Sequence, residues 1–138
     1  MSIRHILYIS ILTGGLLWVS CSAALAAPVN YFITINTSSL EGSGAFGLAF
    51  QLADGSGTGD ANNTVILSNF KFGGGSAGAV DLTAGGAGGN MTSTITLTDS
   101  DPFFNAFAQN FTPGTSLMFQ ASMTNNADVG PFDDMFGP

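Results

Sequence analysis

The chain has 138 residues, of which 45% are hydrophobic and 8% are charged, and its formal net charge at pH 7 is −7. This length allows one domain with a hydrophobic core and is too short for two. So acidic a chain repels phosphate backbones and anionic bilayers, which excludes nucleic-acid binding and electrostatic lipid binding.

The first 26 residues have the three parts of a secretory signal peptide. Arg4 and His5 form a short positive region, an uncharged apolar run follows from Ile6 to Val19, and Ala24-Leu25-Ala26 is a small-residue cleavage site. The apolar run is shorter than the ~20 residues that a membrane span needs. We predict cleavage after Ala26, with cleavage after Ala27 as a close alternative, and export through an inner membrane. The secreted, extracellular chain, residues 27–138, is then expected to have no stable membrane span.

Removal of the signal peptide takes away the only His, Cys, Trp and Arg of the sequence. The mature chain has one basic side chain, Lys71, against nine acidic ones, a formal charge of −8. A Ser or Cys nucleophile usually needs a His base, and zinc sites mostly need His or Cys. We therefore expect a protein without enzymatic activity, zinc or disulfide bonds.

Five stretches of the mature chain alternate apolar and polar residues with period 2, as half-buried strands do. Within 64–72, the alternation places Ile66, Phe70 and Phe72 on one face. The five stretches are residues 29–36, 46–52, 64–72, 91–98 and 117–124, and a weaker one covers 79–83. Glycine-rich turn segments separate them. The pattern predicts an all-β fold, an antiparallel, jelly-roll-like β-sandwich.

One segment has helical rather than strand spacing. Phe103, Phe104, Phe107 and Phe111 fall on one side of a helix, with Asp101 as its cap and Pro102 at its first position. We predict a short helix over residues 102–110, lying across an open end of the sandwich. Asp99 and Asp101 are also the nearest pair of carboxylates for glycosidase chemistry, but the cap is the favoured interpretation.

The last residues, 125–138, are too short and too rich in turn residues to form a further strand. Two interpretations stay open for the single domain, 27–138: the chain ends in a frayed tail, or the sandwich lacks its last strand.

The loop 54–63 is the best candidate for a cation site. Asp54, Asp60 and Asn62 supply the side-chain oxygens that Ca²⁺ prefers. The spacing does not match a D-x-D-x-D-G calcium loop, so a plain hairpin loop is the favoured interpretation. No other cofactor or metal is expected.

Sugar binding on a sandwich face normally uses exposed aromatic rings, and only Phe32 and Phe72 fall where exposure is expected. The row Thr92, Thr94, Thr96 and Thr98 is either a hydrogen-bonding surface for carbohydrate or ordered water, or an ordinary solvent-facing strand. The sequence does not set the oligomeric state.

Several stretches resemble a family of small bacterial PEP-CTERM proteins, which are exported and sorted by exosortase in bacteria that build exopolysaccharide or biofilm. These stretches are residues 31–40, 50–57, 63–70, 103–105 and 111–114. The resemblance implies a secreted β-sandwich domain with no established activity. Members of the family continue into a Pro-Glu-Pro signal, a transmembrane helix and a basic tail, and none of these follows Pro138, so surface anchoring is not carried over.

Together these observations favour a secreted, non-enzymatic protein of the cell envelope, extracellular matrix or biofilm, with exopolysaccharide as its expected partner. The alternative is a carbohydrate-binding module, with or without the help of calcium.

Overall fold

The alternating stretches form strands in the computed structural model, which describes residues 26–54 and 57–126. The only helical segment in these ranges is one 3₁₀ turn, Ser38–Leu40. The strands are β1 (Val29–Asn36), β2 (Phe46–Leu52), β3 (Thr64–Lys71), β4 (Ser76–Ala84), β5 (Gly86–Gly89), β6 (Thr94–Thr98), β7 (Asn105–Thr112) and β8 (Ser116–Met123).

Two antiparallel sheets form a sandwich. The larger has the strand order β1-β8-β3-β6-β5, and the smaller has the order β2-β7-β4. The pairs β1–β8, β2–β7 and β3–β6 are nested along the chain, which is the pairing of a jelly roll. β4 runs through Gly85 into β5, which pairs with β6 in the larger sheet. The predicted antiparallel sandwich is confirmed.

The core lies between the sheets. Ile95 and Leu97 of β6 and Phe107 of β7 are among its most deeply buried residues. The ring of Phe119 stacks on Phe70 with 5.2 Å between their centroids, and it meets Phe50 edge-on at 5.6 Å. Such aromatic pairs add about 0.5–1.5 kcal/mol each beyond the burial of their area. This packing connects the two sheets and contributes to the stability of the domain.

The predicted helix over 102–110 is wrong, because most of this segment is the central strand β7 of the smaller sheet. β7 pairs with β2 on one side and β4 on the other, and two ladders outweigh the helical spacing of four phenylalanines. Phe107 and Phe111 are buried, whereas Phe103 and Phe104 are exposed in the loop before the strand. Gln109 is also buried: its Oε1 accepts the N–H of Met91 in the turn before β6, and its Nε2 donates to the carbonyl of Gly78 on β4.

The predicted faces of β3 are also partly wrong. Between Ser68 and Lys71, β3 has one residue more than its partner β8, which is a β-bulge. Asn69 takes φ = +58° there, a left-handed conformation that Asn tolerates better than most residues. The bulge moves the inward face by one position, so Leu67 is buried before it and Phe70 packs on the core after it.

The glycine-rich composition of residues 85–90 predicts a loop, but Gly86–Gly89 form strand β5. A Cβ atom at Gly86 would collide with the side chain and carbonyl of Thr98 on β6. Glycine therefore allows the close approach of the two backbones, while it removes the alternation of side chains that would indicate a strand.

Two expectations lie outside the described residues. The first is the signal peptide with its cleavage site, because residues 1–25 are not described. The second is the form of the tail from residue 127 onward.

Candidate functional site

In the oxygen-rich loop 54–63, two carboxylates accept hydrogen bonds from N–H groups of the same loop. The carboxylate of Asp54 accepts the backbone N–H groups of Thr58 at 2.7 Å and Gly59 at 2.6 Å. The carboxylate of Asp60 accepts the backbone and side-chain N–H groups of Asn62. These contacts are typical of a loop that its own side chains hold in shape.

Asp99 and Asp101 also act on the backbone. Asp99 is only 1% exposed, and both of its carboxylate oxygens accept the N–H of Asn63, which ties the loop 54–63 to the end of β6. Asp101 accepts the N–H groups of Phe103 and Phe104, and these bonds hold the pKa of its carboxyl below the usual range. The expected cap is thus present, on a turn rather than a helix.

Of the two aromatic residues expected at the surface, Phe32 is exposed and Phe72 is not. Phe32 on β1 is 83% exposed, the most exposed large apolar side chain of the described residues. Phe72 is half-buried and packs against the core, with its ring 6.4 Å from that of Phe111. The bulge in β3 accounts for this difference, because it turns Phe72 inward.

Phe32 lies on the outward side of the five-stranded sheet, on a surface that we call the outer face. Its side chains carry hydroxyl, amide or apolar groups, and glycine lies at the β5 edge. The outer face comprises Asn30, Phe32 and Thr34; Met118, Gln120 and Ser122; Thr64, Ile66, Ser68, Asn69 and Lys71; Thr94, Thr96 and Thr98; and Gly86 and Gly88. In register they form one continuous surface across all five strands.

Three amides on the outer face are linked across strands. Asn69 at the bulge donates from Nδ2 to Oε1 of Gln120 at 3.1 Å, and Gln120 donates from Nε2 to Oδ1 of Asn30 at 3.3 Å. These bonds fix the amide orientations, while each amide keeps further donor or acceptor capacity. A shallow depression of about 130 Å³ lies beside them, with Phe32 and Lys71 among the residues that line it.

The threonine row belongs to the same surface, with one correction. Thr94, Thr96 and Thr98 lie on β6 and alternate with the buried Ile95 and Leu97. Thr92 does not join them, because it lies in the turn before β6, where its N–H donates to Oδ1 of Asn90. The hydroxyl row is therefore three residues long and adjoins Ser68 and Thr64 of β3.

The charge of the outer face differs from that of the whole chain. None of the acidic residues in the described ranges lies on it: Glu41, Asp54, Asp60, Asp99 and Asp101 are in turns and loops, and Asp81 is on β4 of the other sheet. Its one charged side chain is Lys71, the only Lys or Arg of the described residues. A chain of formal net charge −7 thus presents one broad surface that is almost neutral.

The sequence pattern indicates Phe32 and three of the threonines of this surface, but it gives no sign of Asn30, Asn69 and Gln120. These amides come from β1, β3 and β8, up to 90 positions apart in the chain. Only the strand register brings them together, and no local pattern signals it.

In the ranges 26–54 and 57–126, no group of three or more His, Cys, Asp or Glu side chains is placed to hold a metal ion. No helix in the same ranges is long and apolar enough to cross a bilayer.

Comparison with known proteins adds no relative. No family model, curated protein or solved structure matches the chain.

Proposed function

We propose that this protein is an exported, non-enzymatic component of an extracellular matrix, and that it binds a neutral exopolysaccharide through the outer face. The observation that carries the proposal is the composition of that surface, which has hydroxyls, linked amides, one exposed aromatic ring and no carboxylate. The signal-peptide pattern and the resemblance to exosortase-sorted proteins support export into a matrix.

The chemistry of the outer face suits sugars. Hydroxyl and amide groups donate and accept hydrogen bonds, as sugar hydroxyls do, and an aromatic ring covers the apolar C–H side of a pyranose. Four spacings between five strands give a surface about 19 Å wide, enough for several sugar rings in a row. An almost neutral surface on an acidic protein favours a neutral glycan, because an anionic one is repelled by the rest of the chain.

A glycan array tests the binding directly. The mature chain, residues 27–138, is applied to neutral and anionic polysaccharides, with and without a calcium chelator. We expect binding to neutral glycans that survives the chelator. Uniformly negative arrays would overturn the binding proposal, and binding lost with the chelator would instead implicate Asp54, Asp60 and Asn62 in a calcium-assisted site.

Fractionation of the producing bacterium tests the export and the matrix location. We expect the protein in the extracellular polysaccharide fraction, with a mature N-terminus at Ala27 by mass spectrometry. Recovery from the cytoplasm with residues 1–26 still attached would contradict the proposal.

A further inference from the structure

On the side of the sandwich where β1 and β2 are the edge strands, the larger sheet extends further than the smaller one. Tyr31 and Ile35 of β1 lie opposite the buried residues Ala121 and Leu117 of β8, so they point toward the interior side of the sheet. They are nevertheless 51% and 41% exposed. β1 therefore extends beyond the edge of the smaller sheet, and nothing in the described residues covers its inward side fully.

An apolar cleft lies next to this overhang. It has a volume of about 330 Å³ and opens between the two sheets. Its lining includes Phe50 and Leu52 of β2, Phe119, Ala121 and Met123 of β8, and Val65, Leu67 and Leu97 of β3 and β6. The overhanging inward side of β1, the cleft and the free edge of β2 together form what we call the open side.

The edges on the open side lack the features that usually prevent strand pairing. β1 and β2 are eight and seven residues long, and neither contains a charged residue or a proline. On the opposite side, β4 carries Asp81 and β5 has only four residues. Uncharged edge strands of this length readily pair with another strand.

We propose that the open side is the interface of a homodimer. A two-fold axis that lies in the interface and runs roughly parallel to the strands places β1 of each copy beside β2 of the other, within one continuous sheet. The inward sides of the two β1 strands then pack on each other. The five-stranded sheet of one copy continues into the three-stranded sheet of its partner, and the result is a closed sandwich of sixteen strands.

A second copy fits this surface better than another partner does. The overhang of one strand is complementary to itself, as a two-fold interface requires. β1 and β2 carry no charge, so two acidic chains approach without opposing carboxylates on these strands. An interface as long as β1, about 27 Å, and two sheets thick buries roughly 600–800 Å² per copy, near the ~800 Å² typical of stable complexes.

The dimer has a consequence that rests on the proposed function. The two-fold axis turns the outer faces of the two copies in opposite directions. Each dimer then holds two polysaccharide chains, one on either side, and cross-links them. Phe32 points away from the open side, so dimerisation and glycan binding are separable by mutation.

Analytical ultracentrifugation of the mature chain tests the dimer. Ile35→Lys places a charge on the inward side of β1, and Leu82→Lys, at a residue also 41% exposed, places one on the opposite edge. We expect a wild-type dimer, a dissociation constant at least tenfold weaker for Ile35→Lys, and no change for Leu82→Lys. Circular dichroism confirms folding, and Tyr31→Lys replaces Ile35→Lys if that variant does not fold.

A wild-type chain that stays monomeric at millimolar concentration would overturn the dimer, and the occupant of the open side would then be a strand from elsewhere. Equal weakening by Leu82→Lys would also overturn it. Neither result affects the glycan-array test, because a monomer with an intact outer face is also expected to bind the glycan. Conversely, a dimer with no glycan binding leaves the interface standing and removes only the cross-linking role.

Cysteine pairing tests the arrangement of strands, since the mature chain has no cysteine of its own. One variant carries Thr34→Cys on β1, and another carries Gly47→Cys, Ala49→Cys or Gln51→Cys on β2. Adjacent strands are about 4.8 Å apart, within reach of a disulfide. We expect mixed disulfides for one β1–β2 combination. A disulfide between two copies of Thr34→Cys would instead place the two β1 strands edge to edge. That result would contradict the proposed pairing of β1 with β2 of the other copy.

Discussion

At the scale of single residues, the exposed ring of Phe32 should determine glycan affinity without affecting stability. Phe32→Ala removes the aromatic contact, worth about 1–1.5 kcal/mol, and should weaken binding of a neutral polysaccharide about tenfold in calorimetry. Because Phe32 is 83% exposed, the melting temperature should not change. Phe103→Ala is the matched control, since Phe103 is 75% exposed but lies in a loop away from the outer face. Equal loss of affinity in both variants would argue against the outer face.

Asp101 gives a residue-scale prediction about pH. The backbone N–H groups of Phe103, with the larger effect, and of Phe104 donate to its carboxylate. They lower the pKa of this carboxyl in the folded protein below its value in the unfolded chain. The stabilisation is therefore present above the unfolded pKa of about 3.9, and it is lost as the pH falls through the folded value. Asp101→Asn still accepts these bonds but does not titrate. Urea unfolding between about pH 5 and pH 2 should show a smaller fall in stability for this variant than for the wild type; equal falls would contradict the assignment.

At the scale of elements, strand β7 is tested by two neighbouring phenylalanines. Phe107 is fully buried, so Phe107→Ala should lower the free energy of unfolding by about 3–5 kcal/mol. Phe104 is 48% exposed in the preceding loop, and Phe104→Ala should lower it by less than about 1 kcal/mol. A helix over 102–110 would place both on one side and make the two losses similar. If Phe107→Ala does not fold, Phe107→Leu should give the same ranking with a loss of about 1 kcal/mol.

The elements that sequence predicted well are those with side chains on both faces. β1, β2, β3 and β8 alternate clearly, and their bounds match the prediction within one or two residues. β7 was missed because phenylalanines at positions 103, 104, 107 and 111 fit a helix as well as a loop followed by a strand. β5 was missed because glycine carries no alternation, and the bulge at Asn69 because only the register with β8 reveals it.

At the scale of the whole molecule, charge separates two regions. The acidic residues of the described ranges lie in turns, loops and β4, whereas the outer face and the open side are almost neutral. Composition alone predicted the net charge but not this separation, which depends on strand order. The two neutral surfaces are the ones that we assign to contacts with polysaccharide and with a second copy.

The most direct test of this account is an NMR titration of the ¹⁵N-labelled mature chain with a neutral oligosaccharide that binds on the array. We expect chemical-shift changes on β1, β8, β3 and β6, strongest near Phe32, Asn69 and Gln120, and none on β2, β7 or β4. Changes confined to the loop 54–63 or to the three-stranded sheet, or no changes at millimolar sugar, would contradict the assignment of the outer face.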